Sequence, residues 1–363
     1  MEAYLFAFLL VLSFSLFFSE RYFLSGLTSG LLFLTRGEGV LVLPLLIIAV
    51  PIRCWSKRQS VDIKLVQNIL KLVVGFTLPV LLWIIYAQLT FGSFLPNTLA
   101  AKQAQGQNAL SHPLLQRLIR EWIPIWGKSF TSEKLPSFIN FWWAIALIGF
   151  IDVLRQKRRW LILAVWVILY ISGYTLLNVS AYWWYQLPIL FALNIYFGLG
   201  IIAIVAVLTK RIKPYNFALI ISSFCILLLL FVLAKPTFNA MLAYPGDARG
   251  ESYTALSRWF DEHTDSSESI AYIEIGYLGY YTDNRIIDLA GLVLPDVVPH
   301  VAERDFAWGF WRYKPDYYVY LPDFDWALAS IRIDPRFDQQ YQLIATLPGP
   351  RENDFTIYGR IKK

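Results

Sequence analysis

Long apolar stretches recur through the first 235 residues, and they constrain the fold more than any other feature of this sequence. A helix needs ~20 predominantly apolar residues to cross the hydrocarbon core of a bilayer. Hydrophobic residues make up 57% of the chain and charged residues 16%, a balance too apolar for one ordinary soluble domain. We therefore expect a multi-span α-helical membrane domain. About eight spans, two of them short or broken, are expected at residues 3–18, 22–35, 40–52, 70–89, 138–154, 160–177, 184–208 and 217–234.

The basic residues of this part predict the orientation of the spans. They cluster in three loops, and counting spans between the loops places all three on one side of the membrane. The positive-inside rule assigns that side to the cytoplasm. These loops are 53–71, 155–159 and 210–213. The loop 91–137 and everything after Lys235 are then expected on the outer side of a plasma or inner membrane.

Charge also separates the two parts of the chain. Residues after Lys235 carry 19 Asp or Glu and 12 Lys or Arg, whereas residues 1–235 carry 7 and 20. The bases of the first part lie at membrane edges, where anionic lipids and topology account for them. We therefore expect membrane lipids as partners of these bases, and no nucleic acid.

Residues 236–363 have the patterns of a small extracytoplasmic α/β domain. Helical spacing covers 251–263, and 276–283 is rich in turn residues. Short β-branched and aromatic runs predict strands, and about 128 residues suffice for one small core. The strands are expected at 269–275, 285–289 and 315–321, with a terminal hairpin formed by 341–346 and 355–361. The domain boundaries are therefore 1–235, including the outer loop 91–137, and 236–363.

Charged residues at the break between two short apolar runs are candidates for a binding site. Arg36 and Glu38 follow L-T and are bracketed by glycines in the segment L-T-R-G-E-G. A buried arginine there must pair with Glu38 or meet an anion, and both interpretations stand. Glu2 lies at the outer end of the first span, where a carboxylate either acts on a substrate or metal or is simply solvated.

The segment F-G-S-F-L-P-N-T-L-A-A-K presents polar side chains directly after an apolar span. Asn97 and Thr98 can donate and accept hydrogen bonds, and Lys102 supplies a point charge suited to phosphate. A helix cap followed by an ordinary interfacial lysine explains the same residues. In the aromatic stretch that ends Y-Q-L-P, Gln186 is the polar side chain in need of a partner.

These motifs, in this order, resemble those of bacterial GT-C membrane glycosyltransferases. The segments are M-E-A-Y-L, L-T-R-G-E-G, F-G-S-F-L-P-N-T-L-A-A-K, Y-Q-L-P, E-I-G-Y-L-G-Y-Y and I-D-L-A-G-L. The likeness is to users of polyprenyl-phosphate sugars, related to mycobacterial-type terminal arabinofuranosyltransferases and to protein mannosyltransferases. Such enzymes move a sugar from the carrier to an acceptor on the outer face, usually with inversion.

The resemblance implies roles for individual residues. Arg36 and Lys102 are expected to face the carrier phosphate, Asn97 and Thr98 to shape the same pocket, and Glu2 to lie near the reacting centre. Glu38 and Gln186 complete the candidate substrate-binding set. A divalent cation, Mg²⁺ or Mn²⁺, held by carboxylates could share the phosphate charge. The acceptor is expected to be a glycan, lipid or protein of the cell envelope.

One departure from the family pattern concerns the catalytic base. In the family the catalytic Asp precedes the M-E motif, at which this chain begins. The resemblance therefore predicts that the main catalytic Asp lies upstream and that the chain lacks its N-terminal portion.

Two other classes of function are open. A transporter or lipid flippase is expected to bury ionisable residues in mid-span, whereas the charges here cluster at span ends. A non-catalytic envelope glycan-binding protein would need no base.

Overall fold

The chain forms two compact units, each described here by itself. The computed structural model describes residues 2–56, 63–94, 96–109, 136–156, 158–177, 187–209 and 248–362, with single positions between these ranges. The first unit comprises the described residues up to 94, from 136 to 177 and from 187 to 209. The second comprises 96–109 and 248–362. The helix within 96–109 therefore groups with the C-terminal domain, although the sequence boundaries placed the loop 91–137 in the membrane domain.

The first unit is built from helices. Among the residues that the structure describes, three helical segments are long and apolar enough to cross a membrane, namely Ile63–Phe91, Arg158–Leu176 and Leu187–Val207. The helices before the C-terminal domain are α1 (Glu2–Phe18), α2 (Tyr22–Thr35), α3 (Val42–Ser56), α4 (Ile63–Phe91), α5 (Thr98–Ala109, in the second unit), α6 (Pro136–Arg155), α7 (Leu161–Leu176) and α8 (Leu187–Thr209). The expected span 217–234 falls mostly outside the described residues.

Small residues hold α1, α2 and α4 together. Ser13 Oγ lies 2.6 Å from Ser29 Oγ, and Ser25 Oγ donates to the Ser13 carbonyl at 2.8 Å. On α2, a Cβ atom added to Gly26 would collide with the Leu72 carbonyl of α4. Small residues spaced three or four apart, such as Ser25, Gly26, Ser29 and Gly30, let neighbouring helices approach closely in this way.

A five-stranded mixed sheet organises the C-terminal domain. Its strand order is β2-β1-β3-β5-β4. β1 is parallel to β2 and β3, and β5 is antiparallel to β3 and β4. The strands are β1 (Ser269–Tyr272), β2 (Arg285–Asp288), β3 (Tyr317–Tyr320), β4 (Tyr341–Pro348) and β5 (Asp354–Arg360). The helices of this domain are α9 (Ala248–His263), α10 (Gly276–Tyr281), α11 (Val298–Ala302), α12 (Ala307–Tyr313), α13 (Asp325–Arg332) and α14 (Phe337–Gln340).

Helices cover both faces of this sheet. Successive residues of a strand point to opposite faces, and Tyr317 and Tyr318 of β3 show which helices lie where. The ring of Phe260 in α9 is 5.7 Å from that of Tyr317. The rings of Phe310 in α12 and Phe337 in α14 are 5.1 and 5.7 Å from Tyr318. The domain therefore has three layers, with α9 on one face and α12 and α14 on the other.

The strands follow the sequence-based prediction closely, including the terminal hairpin. The segment expected to be turn-rich differs, because Gly276–Tyr281 forms the short helix α10. In the hairpin, the pairing of β4 with β5 shifts register between Leu343 and Ala345. This shift marks a β-bulge at Ile344, which bends the outer strand locally.

Gly75 offers a test of the close helix packing. A Cβ at Gly75 of α4 would collide with the Phe23 carbonyl of α2, whereas one at Gly173 of α7 meets no atom within 4 Å. We expect Gly75→Ala to lower the free energy of unfolding by ~1–3 kcal/mol through overpacking. Gly173→Ala is the matched control and should not destabilise, because alanine favours a helix over glycine. Thermal unfolding of the purified proteins in one detergent measures the difference, and equal midpoints would contradict the close contact.

Candidate functional site

An ion pair occupies the break between α2 and α3. α2 ends at Thr35 because Arg36 is extended (φ −156°, ψ 135°), and a 3₁₀ turn, Gly37–Leu41, follows. Arg36 donates to Glu38 Oε1 through Nε at 3.3 Å and through Nη2 at 2.9 Å. The exposed fractions of the two side chains are only 7% and 15%. A side chain at Gly39 would collide with the backbone of α2, so glycine allows the turn to fold back closely here.

Tyrosines surround this ion pair. Tyr174 of α7 donates a hydrogen bond to Glu38. The Tyr170 hydroxyl lies 3.0 Å from the Tyr185 carbonyl and 3.4 Å from Glu38 Oε1. The guanidinium carbon of Arg36 is 5.3 Å from the centroid of the Tyr185 ring, a cation–π distance. We call Arg36, Glu38, Tyr170, Tyr174 and Tyr185 the Arg36 cluster.

The Arg36 cluster combines a structural and a binding capacity. The contact with Glu38 shows that structural pairing, one of the two interpretations of Arg36, does occur. Among the described residues, however, Nη1 of Arg36 has no hydrogen-bond partner. The hydroxyls of Tyr170 and Tyr174 meanwhile face the negative charge of Glu38. The arrangement thus keeps a guanidinium fixed while one of its nitrogens remains available to an anion.

The second group of predicted residues lies in the other unit, where α5 contacts the loop after β2. Asn97 donates to the Gly291 carbonyl at 2.6 Å. Gln105 donates to the Ala290 carbonyl at 3.3 Å, and Lys102 Nζ donates to Gln105 Oε1 at 3.0 Å. The buried Ala104 joins the hydrophobic core of the C-terminal domain. These contacts attach α5 to the sheet.

Asp288, at the end of β2, shapes the loop that α5 contacts. Its side chain is fully buried, and it accepts hydrogen bonds from the backbone N–H groups of Ala290 and Val293, both at 2.9 Å. Gly291 has φ +75°, a left-handed conformation that glycine adopts without strain. The loop therefore turns around the carboxylate and presents its carbonyls to α5.

Burial shifts the ionisation of both charged groups here. Burial lowers the pKa of the Lys102 ammonium, and the Asp288 charge opposes that shift. Burial also raises the pKa of Asp288, while the backbone N–H groups of the loop oppose the rise. We call Asn97, Lys102, Gln105, Asp288 and Gly291 the Lys102 cluster. Its lysine is an ammonium held in a partly desolvated setting, where an anion would interact more strongly than in water.

The remaining predicted residues are placed differently. Glu2 is exposed in the first turn of α1, and Thr98 is exposed at the first position of α5. Gln186 lies outside the described residues. Within the described ranges, no group of three or more His, Cys, Asp or Glu residues is arranged to hold a metal ion.

Six residues of these clusters were missed as site residues by sequence reasoning, namely Tyr170, Tyr174, Tyr185, Gln105, Asp288 and Gly291. Tyr170 and Tyr174 stand four residues apart, a spacing that places both on one face of α7. This spacing could have identified the two tyrosines as a pair from the sequence. Asp288 lies in the motif I-D-L-A-G-L, directly after a strand, but nothing local to it pointed to α5.

The attachment of α5 can be tested by hydrogen exchange. Each lost hydrogen bond costs about 1 kcal/mol, so the double variant Asn97→Ala/Gln105→Ala should speed amide exchange within residues 99–109 roughly tenfold or more. Leu99→Ala alters an exposed side chain of the same helix and serves as the control. Mass spectrometry of the detergent-solubilised protein gives both rates, and unchanged exchange in the double variant would show that these two bonds do not hold α5.

A match to a known protein family was found for the C-terminal domain. Residues 243–358 match the model of a family described as a Domain of unknown function (DUF8728). A search of curated proteins finds no match for the chain. The matched segment covers β1 to β4, most of β5 and Asp288 of the Lys102 cluster, and it does not include α5.

Proposed function

We propose that this protein is a membrane glycosyltransferase that moves a sugar from a polyprenyl-phosphate carrier to a cell-envelope acceptor. The observation that carries the proposal is the Arg36 cluster. It holds a nearly buried guanidinium at the end of an apolar helix, with Nη1 unused among the described residues. Carriers of this class place their phosphate beside hydrocarbon, and a fixed guanidinium at a helix break suits such a phosphate.

The reaction itself defines what the residues must do. The acceptor hydroxyl oxygen bonds to the anomeric carbon, while the bond from that carbon to the carrier phosphate oxygen breaks. The phosphate leaves with the electron pair, and a base takes the hydroxyl proton. Negative charge therefore grows on the leaving phosphate in the transition state, where a pre-positioned cation stabilises it.

We assign the contact with the leaving phosphate to Arg36. Glu38 and the two tyrosines hold the guanidinium in place and are positioning residues. Lys102, with Asn97 and Thr98 beside it, is proposed to act in donor binding, and Glu2 to lie near the reacting centre. A divalent cation, Mg²⁺ or Mn²⁺, is proposed to share the phosphate charge.

The proposal includes a topology. We propose that the three long apolar helices belong to a multi-pass domain of about eight spans in a plasma or inner membrane. The basic loops then face the cytoplasm, as the positive-inside rule predicts, and the C-terminal domain lies on the outer side. The sugar carrier and the acceptor would meet on that side.

Labelling of single cysteines tests this topology. Glu262 on α9 and Arg158 before α7 are both exposed. With Cys54 and Cys225 replaced by serine, Glu262→Cys should react with a membrane-impermeant maleimide on intact cells, and Arg158→Cys only after lysis. Both variants carry the same two serine replacements, so each serves as the control for labelling of the other. The reverse pattern would refute the orientation.

A transfer assay tests the reaction. Membranes containing the full-length gene product are incubated with radiolabelled polyprenyl-phosphate pentose or hexose, and label in the envelope fraction is compared with membranes lacking the protein. We expect transfer from at least one donor. If the protein is folded and no donor supports transfer, the proposed activity is wrong.

Arg36→Lys tests the phosphate contact within the same assay. Lysine keeps the charge but loses the planar set of donors, so we expect kcat/KM for the donor to fall about tenfold or more. Arg53→Lys is the matched control. Arg53 also pairs with a glutamate, Glu20, at 3.0 Å, yet it has no proposed role in transfer and should change kcat/KM less than twofold. Normal donor use by Arg36→Lys would remove Arg36 from the site.

A further inference from the structure

The topology of the sheet creates a crevice between β1 and β3. These neighbouring strands run parallel, and the connections that leave them diverge. After β1 the chain enters α10, where the Tyr277 ring lies 5.5 Å from Tyr253 of α9. After β3 it enters α13, whose Leu328 carbonyl accepts a hydrogen bond from Tyr318 on the opposite face. Open α/β sheets bind their ligands at the carboxyl ends of such diverging strands.

A cleft of about 160 Å³ lies at this point. Residues of α9 and of the segment after β1 form one wall, and residues of the segment after β3 form the other. Its lining combines ionised, phenolic and apolar side chains, namely Arg249, Tyr253, Glu274, Leu321, Asp323 and Phe324. The cleft therefore offers hydrogen-bonding groups at its walls and apolar surface between them.

The polar groups of the cleft are pre-positioned. Tyr253 donates a hydrogen bond to Glu274, and its hydroxyl is 3.1 Å from that of Tyr272. Arg249 Nη1 lies 3.8 Å from Glu274 Oε1, and the exposed fractions of the two side chains are 46% and 37%. Asp323 accepts a hydrogen bond from Asn353. Burial raises the pKa of both tyrosines, so they stay protonated at neutral pH.

Exposed tyrosines of α10 lie beside the cleft, since the Tyr277 ring neighbours that of Tyr253 and the Tyr281 ring stacks on Tyr277. This helix begins two residues after Glu274 and carries Tyr277, Tyr280 and Tyr281, whose exposed fractions are 37%, 79% and 50%. Exposed aromatic faces of this kind pack against the C–H faces of a flat ligand. Trp308 and Trp311 are only partly exposed and pack against the core instead.

We propose that this cleft binds a neutral carbohydrate. Glu274 and Asp323 accept hydrogen bonds from hydroxyl groups, Arg249 donates to hydroxyl oxygens, and the tyrosines of α10 cover one face of a sugar ring. A phosphorylated ligand fits poorly, because it would meet two carboxylates against one guanidinium. This proposal does not rest on the proposed transfer reaction, since a sugar can bind here whether or not transfer occurs.

Ligand binding by the full chain tests the proposal. The protein in lipid nanodiscs is titrated with methyl α-mannopyranoside, methyl β-galactopyranoside and methyl α-arabinofuranoside, and saturation-transfer NMR is measured against empty nanodiscs. We expect at least one glycoside to bind. In the Arg36→Lys variant, which weakens the proposed donor site, we also expect mannose 1-phosphate to bind more weakly than methyl α-mannopyranoside. Absence of binding by all three glycosides, or tighter binding of the phosphate by this variant, would overturn the assignment.

Variants locate the binding site. Glu274→Gln and Asp323→Asn keep the size of each side chain and remove its charge, and we expect each to raise Kd at least tenfold. Glu262→Gln alters an exposed carboxylate of α9 outside the cleft and should leave Kd unchanged. Arg249→Gln, at a half-exposed position, supplies a further variant should either carboxylate variant fail to fold. Wild-type Kd in all folded cleft variants would place the carbohydrate elsewhere and refute the proposal.

Discussion

A charge removed from water must find compensating partners within the protein, and both clusters in this chain are arranged around that requirement. Arg36, only 9% exposed, is compensated by Glu38 and indirectly by two tyrosine hydroxyls. Asp288, fully buried, is compensated by the backbone N–H groups of its own loop. The two arrangements differ in which polar groups can still make further contacts. In the Arg36 cluster, one guanidinium nitrogen has no hydrogen-bond partner among the described residues, whereas the Asp288 loop presents outward-facing carbonyls to α5.

Sequence patterns predicted the features of this protein that depend on neighbouring residues. The helix Tyr22–Thr35 has the predicted bounds. Strands β1, β2 and β3 fall within the predicted segments, whereas β4 ends two residues later and β5 begins one residue earlier than predicted. Helix contact through Gly26 follows from the spacing of small residues, which is also a local property. The attachment of α5 could not be predicted in this way, because Asn97 and Gly291 are 194 residues apart in sequence. Their contact depends on how β2 ends, and no local pattern encodes that.

Two kinds of carbohydrate chemistry are proposed for this chain, and they call for opposite charges. A leaving phosphate needs a cation, and Arg36 is the cation that we propose for this contact. A neutral sugar needs acceptors for its hydroxyl protons and apolar surface for its ring, which the cleft beside α10 supplies. Because water competes well for hydroxyl groups, binding of a neutral sugar depends on how firmly its partners are held. In the cleft, Tyr253 and Asn353 hold the two carboxylates.

The bulge at Ile344 affects more than the shape of the hairpin. β4 is the outermost strand of its sheet, and its side chains at Leu343 and Ile344 are largely exposed. A regular, apolar edge of this kind would invite strand addition by a second copy of the domain. The irregular pairing interrupts the row of backbone groups, and Pro348 removes a further donor at the end of the strand. This irregularity therefore makes the domain less prone to aggregate through the edge of its sheet.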